Sequence, residues 1–189
     1  MNSEPVSKCI KESCTDCKIK AKLACHFNPV QLLLFYVFTI PSFVIGGIAL
    51  YDFGITSFVV WFVIFGSYFL LIGIRVLCTH CPHYNDSSFF LKCRGNFGVP
   101  KLWKYRRGPM NNIEKGIMIS GFIVIWGYPV IFISLMGKWI LLVAYILSVI
   151  LFFTLLRKLH CKRCINFTCP LNSVDNKIRE EFLNNSGIS

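Results

Sequence analysis

Cysteines are the residues in this chain whose type and spacing point most directly to chemistry. Ten of them occur in 189 residues, and none lies inside a long apolar run. Four form two C-x2-C pairs, at Cys78 and Cys81 and at Cys161 and Cys164. In metal-binding knuckles this spacing lets one tight turn direct two thiolates at the same ion. We therefore predict a metal site formed by these four cysteines.

Each pair is followed by a further cysteine, so that Cys93 and Cys169 are additional candidate ligands. Six thiolates would suffice for a two-metal arrangement. Pro82 directly follows Cys81. Pro170 directly follows Cys169, and a Cys-Pro step also closes the cluster-binding run of bacterial ferredoxins. The chain thus contains a weak internal repeat of a helical hairpin, a C-x2-C pair and a later cysteine.

A second group of cysteines, Cys9, Cys14, Cys17 and Cys25, lies near the start of the chain. The first three match the C-x4-C-x2-C spacing of plant-type ferredoxins, although the fourth follows too soon for that fold. Four cysteines so close together could still hold one zinc ion or one iron–sulfur cluster, with His26 as an alternative to Cys25.

Spacing does not separate the two metals, because thiolates suit both zinc and iron–sulfur clusters. The predicted cofactor is therefore an iron–sulfur cluster or zinc. Stable disulfides are disfavoured in the cytosol, so clustered cytosolic cysteines indicate metal binding or redox chemistry. His80 and His83 are either further ligands or polar residues at the membrane interface, and the second interpretation is favoured for His83.

Four apolar segments are long enough to position these residues at a membrane. They cover about residues 31–51, 55–77, 113–136 and 139–156, and none has an ionisable residue in its middle. A spanning helix needs roughly 20 such residues. We predict an all-α, polytopic membrane protein with four transmembrane helices arranged as two hairpins.

The spans divide the chain into five parts. These are a cysteine-rich cytoplasmic segment (residues 1–30), a first transmembrane hairpin (31–77), a cytoplasmic loop with Cys, His and basic–aromatic residues (78–112), a second transmembrane hairpin (113–156) and a cysteine-rich cytoplasmic tail (157–189).

Basic residues predict the orientation. The net charge is +11, and 19 of the 20 Lys and Arg residues lie on the side that carries both ends of this chain, Lys138 being the exception. The positive-inside rule then makes that side cytoplasmic, in the cell membrane. The expected partners are a bilayer with anionic headgroups and an acidic redox protein. No nucleic-acid-binding module is visible. Trp103 and Tyr105, interleaved with basic residues, are predicted to lie among the headgroups.

Three stretches, Cys81 to Tyr84, Lys92 to Tyr105 and His160 to Asn172, resemble those of a family of small four-span membrane proteins of anaerobic prokaryotes with cytoplasmic cysteine motifs. That family has no assigned activity, so the resemblance implies no role for any residue.

Composition excludes several classes of function. Apolar residues make up 54% and charged residues 15% of the chain, whereas soluble domains carry about 25% charged residues. The leading hypothesis is a membrane protein with cytoplasmic thiolate-ligated metal, an iron–sulfur electron carrier. The alternatives are a zinc-stabilised scaffold or assembly subunit, a soft-metal handling protein and a quinone-linked thiol–disulfide enzyme. An enzyme is disfavoured because no thiol lies on the opposite side.

Overall fold

A computed structural model describes residues 22–185, apart from residues 26, 86, 94 and 107. The described chain is mostly helical. It contains four helices that are long and apolar enough to cross a membrane: Pro29–Phe53, Ile55–His80, Asn112–Leu135 and Trp139–Arg163. The prediction of four helices long and apolar enough to span a membrane is confirmed. The second and fourth extend further than expected, because they continue directly into the two C-x2-C turns.

The first hairpin consists of α1 (Pro29–Phe53), α2 (Ile55–Ser67), a π-helical turn (Tyr68–Ile72) and α3 (Gly73–Val76). Helix α1 begins where the Asn28 side chain accepts a hydrogen bond from the backbone N–H of Val30 at 2.9 Å. The proline at its first position has no N–H to leave unpaired. Ser57 closes the tight connection to α2 by donating from Oγ to the Leu50 carbonyl at 2.7 Å.

The second hairpin consists of α4 (Asn112–Leu135), α5 (Trp139–Leu155) and a π-helical turn (Leu156–His160). Asn111 and Glu114 form a reciprocal capping box at the start of α4. At its other end, Gly137 adopts a positive φ of 66° and donates to the Ser134 carbonyl at 3.0 Å. Glycine adopts this conformation readily, which allows the sharp turn into α5.

The two hairpins pack side by side, with α1 against both α4 and α5. Pro129 lies inside α4 and has no N–H to donate to the carbonyl four residues earlier, that of Ile125. Trp61 supplies the missing donor, because its Nε1 hydrogen bonds to this carbonyl at 2.8 Å. An unpaired carbonyl is costly in the bilayer core. This hydrogen bond therefore offsets the cost of the proline and also joins the two hairpins.

Short elements lie beyond the ends of the spanning helices. Three 3-10 turns cover Cys78–His80, Pro82–Asn85 and Cys161–Arg163, and a last helix, α6, covers Asn176–Asn185. Strands β1 (Phe90–Lys92) and β2 (Phe97–Pro100) form an antiparallel pair with a register irregularity between the residues opposite Phe90 and Lys92. Gly98, in β2, has a φ of 77°, the conformation that a bulge requires. The sequence pattern did not predict this strand pair in an otherwise helical protein.

Candidate metal centre

The first C-x2-C turn is an abrupt end to a spanning helix. Leu77 is still in the right-handed helical region with φ −108° and ψ −52°, whereas Cys81 is extended with φ −84° and ψ 136°. Between them, the Cys81 N–H donates to the Cys78 carbonyl at 2.9 Å. The turn therefore places both cysteines immediately beyond the helix end.

The second C-x2-C turn has the same backbone form. His160 has φ −104° and ψ −52°, and Cys164 has φ −81° and ψ 126°. The Cys164 N–H points to the Cys161 carbonyl at 3.4 Å. The repeat seen in the sequence is thus a repeat of local structure, in which each long helix ends in the same cysteine-bearing turn.

The two turns meet at one end of the helical bundle. The Asn166 side chain, just after the second turn, reaches the Leu77 carbonyl at the first turn, with an Nδ2–O distance of 3.5 Å. Cys169 packs against the buried cluster of Val76, Met110 and Met118, next to Leu77. Residues from both hairpins therefore contribute to the same region.

Cys93 connects the thiols of the two turns. It directly follows β1, where its N–H closes the hairpin turn by donating to the Asn96 carbonyl at 3.0 Å. A charge on Cys93 would raise the pKa of the Cys81 and Cys164 thiols, and Cys93 also interacts with Cys78. The sequence ranked Cys93 behind the two pairs, whereas the structure places it within electrostatic range of both.

We call the six cysteines linked by such interactions the cysteine cluster. Its members are Cys78, Cys81, Cys93, Cys161, Cys164 and Cys169. Cys161 is linked through Cys164 and also lines a surface cleft with Arg157 and Leu171. No disulfide joins the cysteines within the described part of the chain.

Backbone amides point at three of the sulfur atoms. Cys81 and Cys164 each accept a hydrogen bond from the backbone N–H two residues later, at His83 and Asn166. Cys169 accepts two such bonds. An N–H donor stabilises the charged form of its acceptor, so the backbone at these positions is arranged to support thiolates.

Burial has the opposite effect to these amides: it raises the pKa of the thiols, whereas the amides lower it. The pKa of the Cys164 thiol is raised to about 12, chiefly by burial, whereas the Asn166 N–H lowers it and the charge of Cys93 raises it. The pKa of Cys81 is raised well above its ordinary value by burial and by the charges of Cys93 and Cys164. A cation among these thiols would offset both the burial and the mutual repulsion of thiolates.

A closed ligand set is not formed in the structure. Among the described residues, no group of three or more His, Cys, Asp or Glu side chains is arranged so that it could hold a metal ion. The predicted ligands therefore remain predictions, and the structure adds which of them are neighbours.

The N-terminal cysteines are described only in part. Cys9, Cys14 and Cys17, together with His26, lie outside the described residues. Cys25 is buried against Leu23, Ile165 and Phe182. The neighbouring Ala24 N–H donates to the Arg163 carbonyl at 2.8 Å, which places this segment beside the second C-x2-C turn.

His80 is held by a buried network. Its Nδ1 is 3.0 Å from the Gly108 carbonyl, and its Nε2 is 3.3 Å from Glu114 Oε2. Arg106 donates to the other oxygen of Glu114. Both ring nitrogens thus face protein oxygens, and the observed rotamer favours a structural role for His80 over metal ligation.

Glu114 is a site residue that the sequence analysis above does not include. The signal that identifies more is the Asn111-x-x-Glu114 spacing, which is typical of a capping box. In the structure Glu114 is buried and its Oε2 accepts from the Asn111 N–H at 3.0 Å. It joins the first C-x2-C turn to the start of the second hairpin.

We expect Glu114→Gln to lower the free energy of unfolding by about 1–3 kcal/mol, because Arg106 loses its counter-charge and an amide cannot accept at both former carboxylate oxygens. A matched control is Asp52→Asn, which breaks the half-exposed Lys138–Asp52 pair at 3.1 Å and should cost no more than about 1 kcal/mol. Thermal unfolding in detergent measures both, and equal shifts would contradict the assignment.

The aromatic residues of the basic–aromatic loop are partly buried. Trp103 and Tyr105 pack against the buried cluster of Ile74, Tyr84 and Leu91, and their placement among headgroups stays a prediction. The Tyr84 hydroxyl also donates to the Trp103 carbonyl at 2.7 Å. These aromatic residues hold the loop over the end of the second span.

Comparison with protein-family models, with curated proteins and with solved structures finds no match for this chain.

Proposed function

We propose that this protein is an integral membrane protein whose cysteine cluster holds a thiolate-ligated iron–sulfur centre that transfers electrons. The observation that carries the proposal is the meeting of two C-x2-C turns of the same backbone form with Cys93, whose charge acts on thiols of both. Chance placement of cysteines does not account for a repeated turn that brings its thiols to one region.

The backbone N–H groups directed at Cys81, Cys164 and Cys169 support a redox role. Hydrogen bonds to cluster sulfur atoms and exclusion of solvent are the main means by which proteins set iron–sulfur potentials. The cluster combines both, since Cys81 is buried and its sulfur accepts an amide. In the proposed centre these residues hold the metal and adjust its affinity for electrons.

Metal binding must draw the thiols closer than they stand in the structure. Each ligand loses a proton when a metal binds, and the cation then attracts thiolates that would otherwise repel one another. Both C-x2-C turns directly follow long helices, and the proposal requires these turns to move until their thiols reach one metal. The N-terminal cysteines remain candidates for a second site.

Charge supports a cytoplasmic placement of the cysteine cluster in the cell membrane. Lys138, the single basic residue assigned to the opposite side, pairs with Asp52 at 3.1 Å. The charges of Lys138 and Asp52 cancel, so this pair adds no net charge to the side with the short hairpin connections. The difference in positive charge between the two sides, on which the positive-inside rule depends, is therefore larger. The basic side would meet anionic headgroups and attract an acidic redox partner.

A zinc-stabilised scaffold is the second candidate. It is favoured by the contact of the tail with the end of the first hairpin, where Asn166 Nδ2 lies 3.5 Å from the Leu77 carbonyl. A structural zinc ion takes four ligands in a closed tetrahedral site. Transient handling of a soft metal is less favoured because Cys81 is buried.

Anaerobic purification in detergent, followed by a visible spectrum and by iron, zinc and acid-labile sulfide analysis of the same sample, tests the proposal. We expect a brown protein that dithionite bleaches and that contains iron and sulfide. A colourless protein with stoichiometric zinc would overturn electron transfer in favour of the scaffold. A protein without metal after supply of iron, sulfide and zinc would overturn both.

A further inference from the structure

The β1–β2 hairpin has one face on the protein and one face turned outward. In β1, Leu91 is 1% exposed and packs against Ile74 and Tyr84. Its neighbours in the strand point the other way, since Phe90 is 50% exposed and Lys92 is exposed. The outer face thus carries a large apolar side chain although it lies outside the spanning helices.

Further phenylalanines extend this outer apolar surface. Phe89 is 64% exposed and Phe97 is 48% exposed. Phe97 lies opposite Lys92 in the strand pair, and its ring stacks on Phe27 with centroids 5.1 Å apart. Phe89 and Phe90 contact each other, with ring centroids 5.1 Å apart. Single exposed apolar residues are ordinary, but several exposed phenylalanines on one short hairpin mark an interaction surface.

The position of the hairpin points to what covers this patch. Its turn contacts α1, because Gly95 lies beside Phe35 with a separation of about 4 Å between the ring and an added Cβ. Phe35 is six residues into a spanning helix, or about 9 Å along its axis. The hairpin therefore lies at the depth where the helix passes from headgroups into hydrocarbon.

Charge identifies the chemistry of the surface that it meets. Residues 87–111 contain no acidic residue, and the exposed Lys92 stands among the phenylalanines. Lys101 lies over the Tyr84 ring, 5.6 Å from its centroid. Aromatic side chains flanked by lysines suit the interface of a bilayer that contains anionic lipid.

We propose that the β1–β2 hairpin is an interfacial anchor, which inserts Phe89, Phe90 and Phe97 into the headgroup region of the bilayer that the protein spans. Lys92 contacts anionic headgroups there. Because Cys93 directly follows β1, the anchor also holds one thiol of the cysteine cluster at the membrane surface. The proposal rests on the membrane placement of the four spans and is independent of which metal binds.

Photo-cross-linking of the full chain in nanodiscs of phosphatidylcholine and phosphatidylglycerol tests the proposal. Phe90 is replaced by p-benzoylphenylalanine, a close analogue that suits an exposed position, and Phe97 provides a second variant. Leu147, a 60% exposed residue of α5, is the positive control for lipid contact. Exposed Glu180 in α6 is the negative control.

We expect lipid adducts, detected by intact-protein mass spectrometry, at positions 90, 97 and 147 and not at position 180. Loss of lipid adducts at 90 and 97 with retention at 147 would overturn the anchor but leave the four spans intact. Cross-links from 90 and 97 to a protein in native membranes, without lipid adducts, would likewise overturn it. Absence of lipid adducts at 147 as well would overturn the membrane placement together with the anchor.

Discussion

Replacing Cys93 with serine is expected to weaken metal binding by about 100-fold. Four-ligand structural zinc sites bind with about 10–16 kcal/mol, so one ligand contributes about 3 kcal/mol, which is about 100-fold in affinity. Cys93 is the informative position because its charge acts on Cys81 and Cys164, which belong to different turns. Competition for the metal with a chelator of known affinity, measured for the variant beside the wild type, gives the result.

The control for this substitution is Lys162→Ser. Lys162 lies in the second C-x2-C turn and its side chain is exposed, so the variant introduces serine next to the cluster without removing a thiol. It should keep the metal content of the wild type. Circular dichroism establishes that both variants retain their helices. A metal affinity equal to that of the wild type in Cys93→Ser would show that Cys93 is not a ligand.

Replacing Gly121 with alanine is expected to destabilise the helical bundle by about 1–3 kcal/mol, the usual effect of overpacking a core. An added Cβ at Gly121 would overlap the Tyr68 ring. That ring cannot move away freely, because its hydroxyl donates to the Met118 carbonyl at 2.8 Å and its face meets Phe122. The strain therefore acts on the contact between the two hairpins.

Gly116→Ala in the same helix is the matched control. A Cβ at Gly116 would meet nothing within 4 Å, and alanine is favoured over glycine in a helix by roughly 0.5–1 kcal/mol. We expect an unchanged or slightly higher unfolding temperature for Gly116→Ala and a decrease of several degrees for Gly121→Ala. Equal temperatures for the two variants would refute the close packing of α4 against Tyr68.

The spanning helices could be predicted because a bilayer requires apolar side chains along the whole length of a helix that crosses it. The C-x2-C pairs were likewise visible from spacing alone. The position of Cys93 was not, since it depends on the β1–β2 hairpin and its bulge at Gly98, whose pairing is a contact between strands rather than a pattern along the chain.

The contacts of polar and aromatic side chains also could not be predicted from the local sequence pattern. Glu114 meets His80 and Arg106 only because the two hairpins pack together. Trp103 is predicted among headgroups from its basic neighbours, but its contact with the cluster that contains Leu91 could not be read from them. In both cases the sequence identifies a residue type suited to an interface, and tertiary packing decides which interface it occupies.

X-ray absorption at the edge of the bound metal tests the central claim most directly, because it reports the atoms that surround the metal. If the cysteine cluster holds the metal, sulfur is the nearest neighbour, at about 2.3 Å in the case of zinc. In the Cys93→Ser variant that sulfur signal should fall with the metal content. A metal surrounded by nitrogen and oxygen at about 2.0–2.2 Å would contradict the account, because the cysteines would then not be its ligands.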